Sequence, residues 1–154
     1  MKKGDEKRAL RSAARFYAVQ ALFQMEAAGQ TVELIRQEFE THRIGKEADE
    51  ETWVEADLAH FGKLIDSAVD QQATIDQLTD RALVAKWPIA RIDPTLRALF
   101  RVAGAEMIET DTPPRVVITE FVQIAQAFFP EGRESKFVTA VLDHMAHEAR
   151  PEAF

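Results

Sequence analysis

Three arginines near the start of the chain have the residue type and spacing best suited to binding chemistry. Arg8, Arg11 and Arg15 repeat at i, i+3 and i+7, which places three guanidinium groups along one solvent-facing edge of a helix. Guanidinium is planar, permanently charged and weakly hydrated, so such a row can bind phosphates bidentately and can stack on unpaired bases. The pattern indicates an arm that binds a polyanion, although a basic helix start also occurs on ordinary protein surfaces.

A second group combines aromatic and basic residues at a loop between two helices. Phe128 and Phe129 end one predicted helix, and Lys136 and Phe137 begin the next after the loop 130–133. An aromatic ring beside a cation is the usual platform for a single-stranded base, where stacking contributes about 1–3 kcal/mol per base. The alternative is that these rings belong to the core, as most phenylalanines do.

The remaining motifs argue against catalysis. The chain has no cysteine, no phosphate-binding glycine-rich loop, and no nucleophile or metalloprotease motif. His144 and His147 lie one turn apart and could form half of a metal site, but a solvated helix end is the favoured interpretation. The sequence therefore predicts a protein that is not an enzyme, with no catalytic residue, metal or cofactor.

Charge is distributed unevenly along the chain. The net charge is −7, yet residues 1–16 carry six bases and two acids, while residues 26–80 carry 14 acids and four bases. This asymmetry favours a basic arm for a polyanion and an acidic body that suits a basic protein partner. Acidic helices that only keep the protein soluble are the alternative.

Helices must position these residues, because the sequence contains no alternating strand pattern. All six prolines lie at position 88 or later, and apolar residues recur at helical spacing, as in Leu10, Ala14, Tyr17, Ala21 and Met25. A polar loop is predicted over residues 42–49 and a break at Trp87-Pro88. Seven helices are predicted, at about residues 5–28, 32–41, 50–72, 74–85, 94–109, 114–129 and 134–148.

Two helix starts carry clear capping signals. Thr31 precedes the second helix as an N-cap, and Asp93 caps the fifth with Pro94 at the first helical position.

No stretch has the roughly 18 apolar residues of a membrane span, and the charged start is unlike a signal peptide. The expected location is therefore the cytoplasm.

Several stretches resemble the NusB family of bacterial transcription antitermination factors. The resemblance covers about the whole chain, is strong from Trp87 to Asp143 and is loose from Thr31 to Glu51. Its main motifs are Arg11-Ser12-Ala13-Ala14-Arg15, Val19-Gln20-Ala21-Leu22-Phe23, Arg91-Ile92-Asp93, Leu96 through Ala103 with Glu106, Pro113 through Glu120, Lys136-Phe137-Val138 and Val141-Leu142-Asp143.

The resemblance implies a fold, two partners and a set of site residues. The fold is all-α, with about seven helices in two small packed bundles, here a single NusB-like domain 1–154 with subdomains 1–73 and 74–154. The partners are the basic small-subunit ribosomal protein NusE and single-stranded boxA RNA of nascent ribosomal RNA transcripts, in the context of the transcription elongation complex. The predicted RNA-binding residues are Arg8, Arg11, Arg15, Phe128, Lys136 and Phe137, and the predicted partner-binding residues are Phe23, Leu96 and Arg97.

Two other hypotheses use the same observations. One is an RNA-targeting domain related to that of ribosomal RNA cytosine methyltransferases, although residues 1–154 contain no methyl-donor domain. The other is a helical protein interaction module that does not bind RNA. The sequence leaves open self-association, the RNA sequence bound, which aromatic rings face RNA, and a role in ribosome assembly.

Overall fold

Seven α-helices occur in the part of the chain that the structure, a computed structural model, describes: residues 3–48, 51–83 and 92–154. Their bounds are α1 Lys3–Ala28, α2 Val32–Gln37, α3 Leu58–Asp70, α4 Gln72–Ala82, α5 Pro94–Glu109, α6 Pro114–Phe128 and α7 Arg133–Ala149. The all-α class is confirmed. The predicted break at Trp87-Pro88 lies outside the described residues.

The chain divides into two compact units, Met1–Asp66 and Ser67–Phe154. The first unit holds α1, α2, a π-helical segment Glu38–Arg43 and most of α3. The second holds the end of α3, helices α4 to α7 and a short 3-10 turn, Pro151–Ala153.

The third helix is shorter than the sequence predicts. A start near Glu50 is wrong, because Glu51–Thr52 (β2) instead pairs antiparallel with Glu47–Ala48 (β1), and α3 begins at Leu58. Asp57 caps the helix, since its Oδ1 accepts a hydrogen bond from the His60 backbone N–H at 3.0 Å. The extended backbone over residues 51–54 leaves Val54 exposed.

Aromatic packing holds the first unit together. Tyr17 of α1 stacks on Trp53 with ring centroids 5.4 Å apart, and Trp53 meets Phe39 edge to face at 5.8 Å. Phe39 also stacks on Phe61 of α3 at 5.8 Å. The Arg43 guanidinium lies over both the Phe39 and Trp53 rings, at 5.4 and 5.2 Å from their centroids. Trp53 is thus fixed by residues distant from it in sequence, which explains why the segment before α3 is not helical.

Helices α4 to α7 pack on one another to form the second unit. Gly104 of α5 allows α4 to approach closely, because a Cβ at this position would lie 2.5 Å from Ile75 Cγ2.

Two ion pairs join α4 to other helices of this unit. Asp76 accepts two hydrogen bonds from Arg101 of α5, at 3.0 and 2.9 Å, and Arg81 pairs with Glu148 of α7.

The start of α5 is the element that the sequence predicts best. Asp93 Oδ1 accepts a hydrogen bond from the Thr95 backbone N–H at 2.7 Å, and Pro94 begins the helix, so the predicted cap is confirmed. Asp93→Ala is expected to lower the free energy of unfolding by about 0.5–2 kcal/mol, because that N–H loses its partner. Thermal unfolding measures the change. Asp93→Asn, which keeps the capping oxygen, should retain most of the stability, and equal losses in both variants would contradict the cap.

Candidate nucleic-acid interface

The arginine row of α1 passes from solvent into the protein interior. The Arg8 side chain is 78% exposed and that of Arg11 is 43% exposed, whereas Arg15 is only 4% exposed. The prediction of a solvent-facing edge is therefore wrong for Arg15. The reason is packing, because Ala18 and Leu22, which follow Arg15 at i+3 and i+7 on the same face of α1, are buried in the core.

Both exposed arginines have acidic neighbours in the first unit. Arg8 is hydrogen-bonded to Asp5 one turn earlier. Arg11 Nε lies 3.7 Å from Asp57 Oδ2. The backbone N–H of Asp57 also donates a hydrogen bond to the carbonyl of Leu10, the residue before Arg11. The Arg8–Asp5 pair is exposed, and exposed pairs contribute little stability and are easily exchanged for another anion. Arg8 and Arg11 are thus available to phosphate groups in a way that buried Arg15 is not.

The loop between α6 and α7 belongs to the second unit and presents a cation beside a ring. Gly132 has a φ of 80°, a left-handed conformation that turns the chain into α7. Lys136 is exposed on the first turn of α7, and the next residue, Phe137, is partly buried. Phe137 meets the buried Phe100 edge to face at 6.2 Å, while Phe128 at the end of α6 is also partly buried. Phe137 therefore both contacts the core and retains some exposed surface.

The three residues predicted to bind a protein partner differ in exposure. Phe23 on α1 is one of the large apolar side chains that remain exposed. Arg97 on α5 is partly buried, and Leu96 is buried, so Leu96 offers almost no surface in this structure. Of the three, Phe23 has the apolar surface that a partner can cover.

A groove on α1 was not foreseen from the sequence. It lies between the helix and the extended segment 51–54 and has a volume of about 330 Å³. Its helical wall consists of Ala13, Phe16, Tyr17 and Gln20. Sequence reasoning assigned residues 51–54 to a helix, whereas the extended segment with Trp53 stacked on Tyr17 forms the second wall.

Two features are absent from the described residues. Among them, no group of three or more histidines and acids is arranged to hold a metal ion, and no helix has the length and apolar character needed to cross a membrane. The His147 Nδ1–H instead donates a hydrogen bond to the Asp143 carbonyl, 2.8 Å away, and the ring stacks on Phe154.

Comparison with known proteins gives consistent matches. The model of the NusB family matches residues 12–147. A transcription antitermination protein NusB from Maricaulis maris (strain MCS10) is 45% identical over 146 residues, which cover 94% of this chain and 91% of that protein. Its counterpart from Agrobacterium fabrum (strain C58) is 44% identical over 144 residues, covering 93% of this chain and 87% of that protein.

Solved structures show the same similarity. NusB of T. maritima superimposes with a TM-score of 0.73 at 30% identity, covering 94% of this chain and 96% of that one. A crystal structure of antitermination factors NusB and NusE in complex with dsRNA matches with a TM-score of 0.68 at 25% identity, covering 89% of this chain and 96% of that one.

Proposed function

Because the chain belongs to the NusB family, we propose that it is a transcription antitermination factor that binds RNA together with the ribosomal protein NusE. The RNA is the boxA element of nascent ribosomal RNA transcripts, and the complex acts on the transcription elongation complex in the cytoplasm. Binding is the whole of this function, with no catalytic step. The structural relative that contains NusB, NusE and dsRNA supports both partners.

The observation that carries the RNA half of the proposal is the pair of exposed arginines on α1. Arg8 and Arg11 lie in the basic first 16 residues of a chain whose net charge is −7. An acidic protein gains affinity for RNA only where positive charge is concentrated locally. Lys136 and Phe137 add a cation and a partly exposed ring on the second unit.

Phe23 and the acidic character of the body support the NusE half. Phe23 presents an exposed ring on α1, and residues 26–80 carry 14 acids against four bases. Aromatic side chains are enriched at the centres of protein interfaces, and complementary charge speeds the encounter with a basic partner.

The test is a binding titration of fluorescently labelled boxA RNA by anisotropy, with and without NusE. Three RNAs are compared: single-stranded boxA RNA, a scrambled single strand and a boxA duplex. The scrambled strand tests sequence preference, and the duplex tests the preference for single-stranded over double-stranded RNA. We expect the single boxA strand to bind most tightly, and NusE to tighten it further. Equal binding of the boxA and scrambled strands in the presence of NusE would contradict the proposal.

Arg11→Ala is expected to flatten the salt dependence of RNA binding. Each phosphate neutralised on a single strand contributes about 0.7 to the slope of log affinity against log salt, so losing one contact lowers the slope by that amount. Arg81→Ala is the matched control, because Arg81 is an exposed, paired arginine on α4. An unchanged slope in Arg11→Ala, with folding intact by circular dichroism, would remove α1 from the RNA site.

Phe137→Leu distinguishes a base-stacking ring from a core ring. If Phe137 stacks on a base, the variant should lose about 1–3 kcal/mol of RNA affinity, because leucine keeps much of the packing volume but lacks a flat π-face. Phe128→Leu is measured beside it, since Phe128 ends the helix on the other side of the loop. A fall in unfolding temperature with unchanged RNA affinity would assign Phe137 to the core alone.

A further inference from the structure

The groove on α1 is fixed by two specific contacts between its walls. Tyr17 Oη donates a hydrogen bond to the Val54 carbonyl at 2.9 Å, and the Tyr17 ring stacks on Trp53. The concave surface is therefore formed before any ligand arrives, which lowers the cost of ordering on binding. Phe16, also in the helical wall, meets Tyr17 edge to face at 6.2 Å and adds a third ring.

The groove lies on a different face of α1 from the arginine row. Successive residues turn about 100° around a helix, so Ala13 lies about 200° from Arg11. Phe16 and Phe23 are separated by seven positions and share a face, which places exposed Phe23 in line with the groove. The groove thus continues the surface proposed for NusE and not the surface proposed for RNA.

The charge of the second wall opposes RNA and favours a basic protein. Residues 45–57 contain six acids and one base. Glu51 lines the groove itself, and Glu47 and Glu55 are exposed on the same segment. Carboxylates at this density repel phosphates and attract lysine or arginine side chains.

We propose that this groove is a second docking site for NusE, in which an extended segment seats an apolar side chain against Phe16 and Trp53. Lysine or arginine residues beside that anchor then pair with Glu51. Aromatic-lined grooves that bind extended segments in this way are a recurrent mode of peptide recognition. The inference rests on the function proposed above and adds a contact outside the Phe23 surface.

The test measures NusE binding by isothermal titration calorimetry for the full chain and three variants. Glu51→Lys is expected to bind NusE about three- to tenfold more weakly, because an attractive rim charge becomes repulsive. Glu51→Gln should fall between Glu51→Lys and the unmodified chain. Glu109→Lys, an equal charge change at an exposed position on α5, should bind as the unmodified chain does.

A second measurement follows the groove directly. The chain has two tryptophans, so Trp87→Phe leaves Trp53 as the source of the indole N–H signal in a ¹H–¹⁵N spectrum. We expect NusE to shift that signal in a saturable manner and boxA RNA alone to leave it in place. A shift caused by RNA alone, or by raising the concentration of the chain alone, would assign the groove to RNA or to self-association and overturn the proposal.

The possible failures are distinguishable. If NusE binds the unmodified chain and Glu51→Lys equally and the Trp53 signal does not move, the groove proposal is wrong while pairing with NusE stands. If NusE binds no form of the chain, both the pairing and the groove proposal are wrong.

Discussion

Phe39→Ala is expected to lower the free energy of unfolding by about 3–5 kcal/mol, the range for truncating a large buried aromatic side chain. Phe39 is fully buried and contacts both the Phe61 and Trp53 rings. Its loss leaves a cavity at the point where α3, the π-helical segment and the extended segment 51–54 meet. It also removes two aromatic pairs, each of which contributes about 0.5–1.5 kcal/mol beyond burial.

Denaturation in urea, followed by circular dichroism, measures this loss. Phe39→Leu is the partner variant, because it retains apolar volume while removing the ring, and it should lose less. Leu34→Ala is the control, since Leu34 is exposed on α2 and its truncation leaves no cavity. A loss for Phe39→Ala no greater than that for Leu34→Ala would show that the aromatic cluster does not stabilise the first unit.

Asp76→Ala is expected to cost about 3 kcal/mol, because it leaves a largely buried arginine without its bidentate carboxylate. The side chains of Arg101 and Asp76 are 12% and 22% exposed, and two hydrogen bonds join them. Desolvation makes the loss of such a hydrogen-bonded carboxylate at this depth much more costly than the same loss at the surface.

Glu148→Ala is the matched control, because it removes a carboxylate from the second ion pair of α4. Arg81 and Glu148 are 55% and 35% exposed, so water replaces the lost partner and the change should be close to the limit of measurement. The hydrogen bond from Arg81 lowers the pKa of Glu148, so the small contribution of this pair is present at neutral pH and is lost as the pH falls through that lowered pKa. Equal losses in Asp76→Ala and Glu148→Ala would contradict the argument from burial.

Local signals predicted the starts of α2 and α5 correctly. Thr31 and Asp93 cap their helices through hydrogen bonds to N–H groups two or three residues away, so a short stretch of sequence contains all the necessary information. The apolar stripe of α1 was also predicted correctly, because Ala14, Tyr17 and Ala21 are buried at helical spacing.

Long-range packing explains two of the differences between the prediction and the structure. The segment 51–56 is extended because Trp53 packs on Tyr17 and Phe39, and neither contact is visible in the local sequence. Arg15 is buried because, from this residue onwards, the rest of the protein packs against the face of α1 on which it lies. The spacing of the three arginines shows that they share one face of the helix. Which of them are exposed depends on the residues that pack against that face.

The graded exposure of Arg8, Arg11 and Arg15 has a kinetic consequence. Electrostatic attraction acts over about 8 Å at physiological ionic strength, so charges that project into solvent accelerate the first collision with a polyanion. At the RNA site proposed above, Arg8 and Arg11 would therefore set how often RNA is captured, and added salt would slow that capture. Arg15 is only 4% exposed, so it presents almost no surface to an incoming strand. Once RNA is captured, its residence time depends instead on the short-range contacts made at the surface.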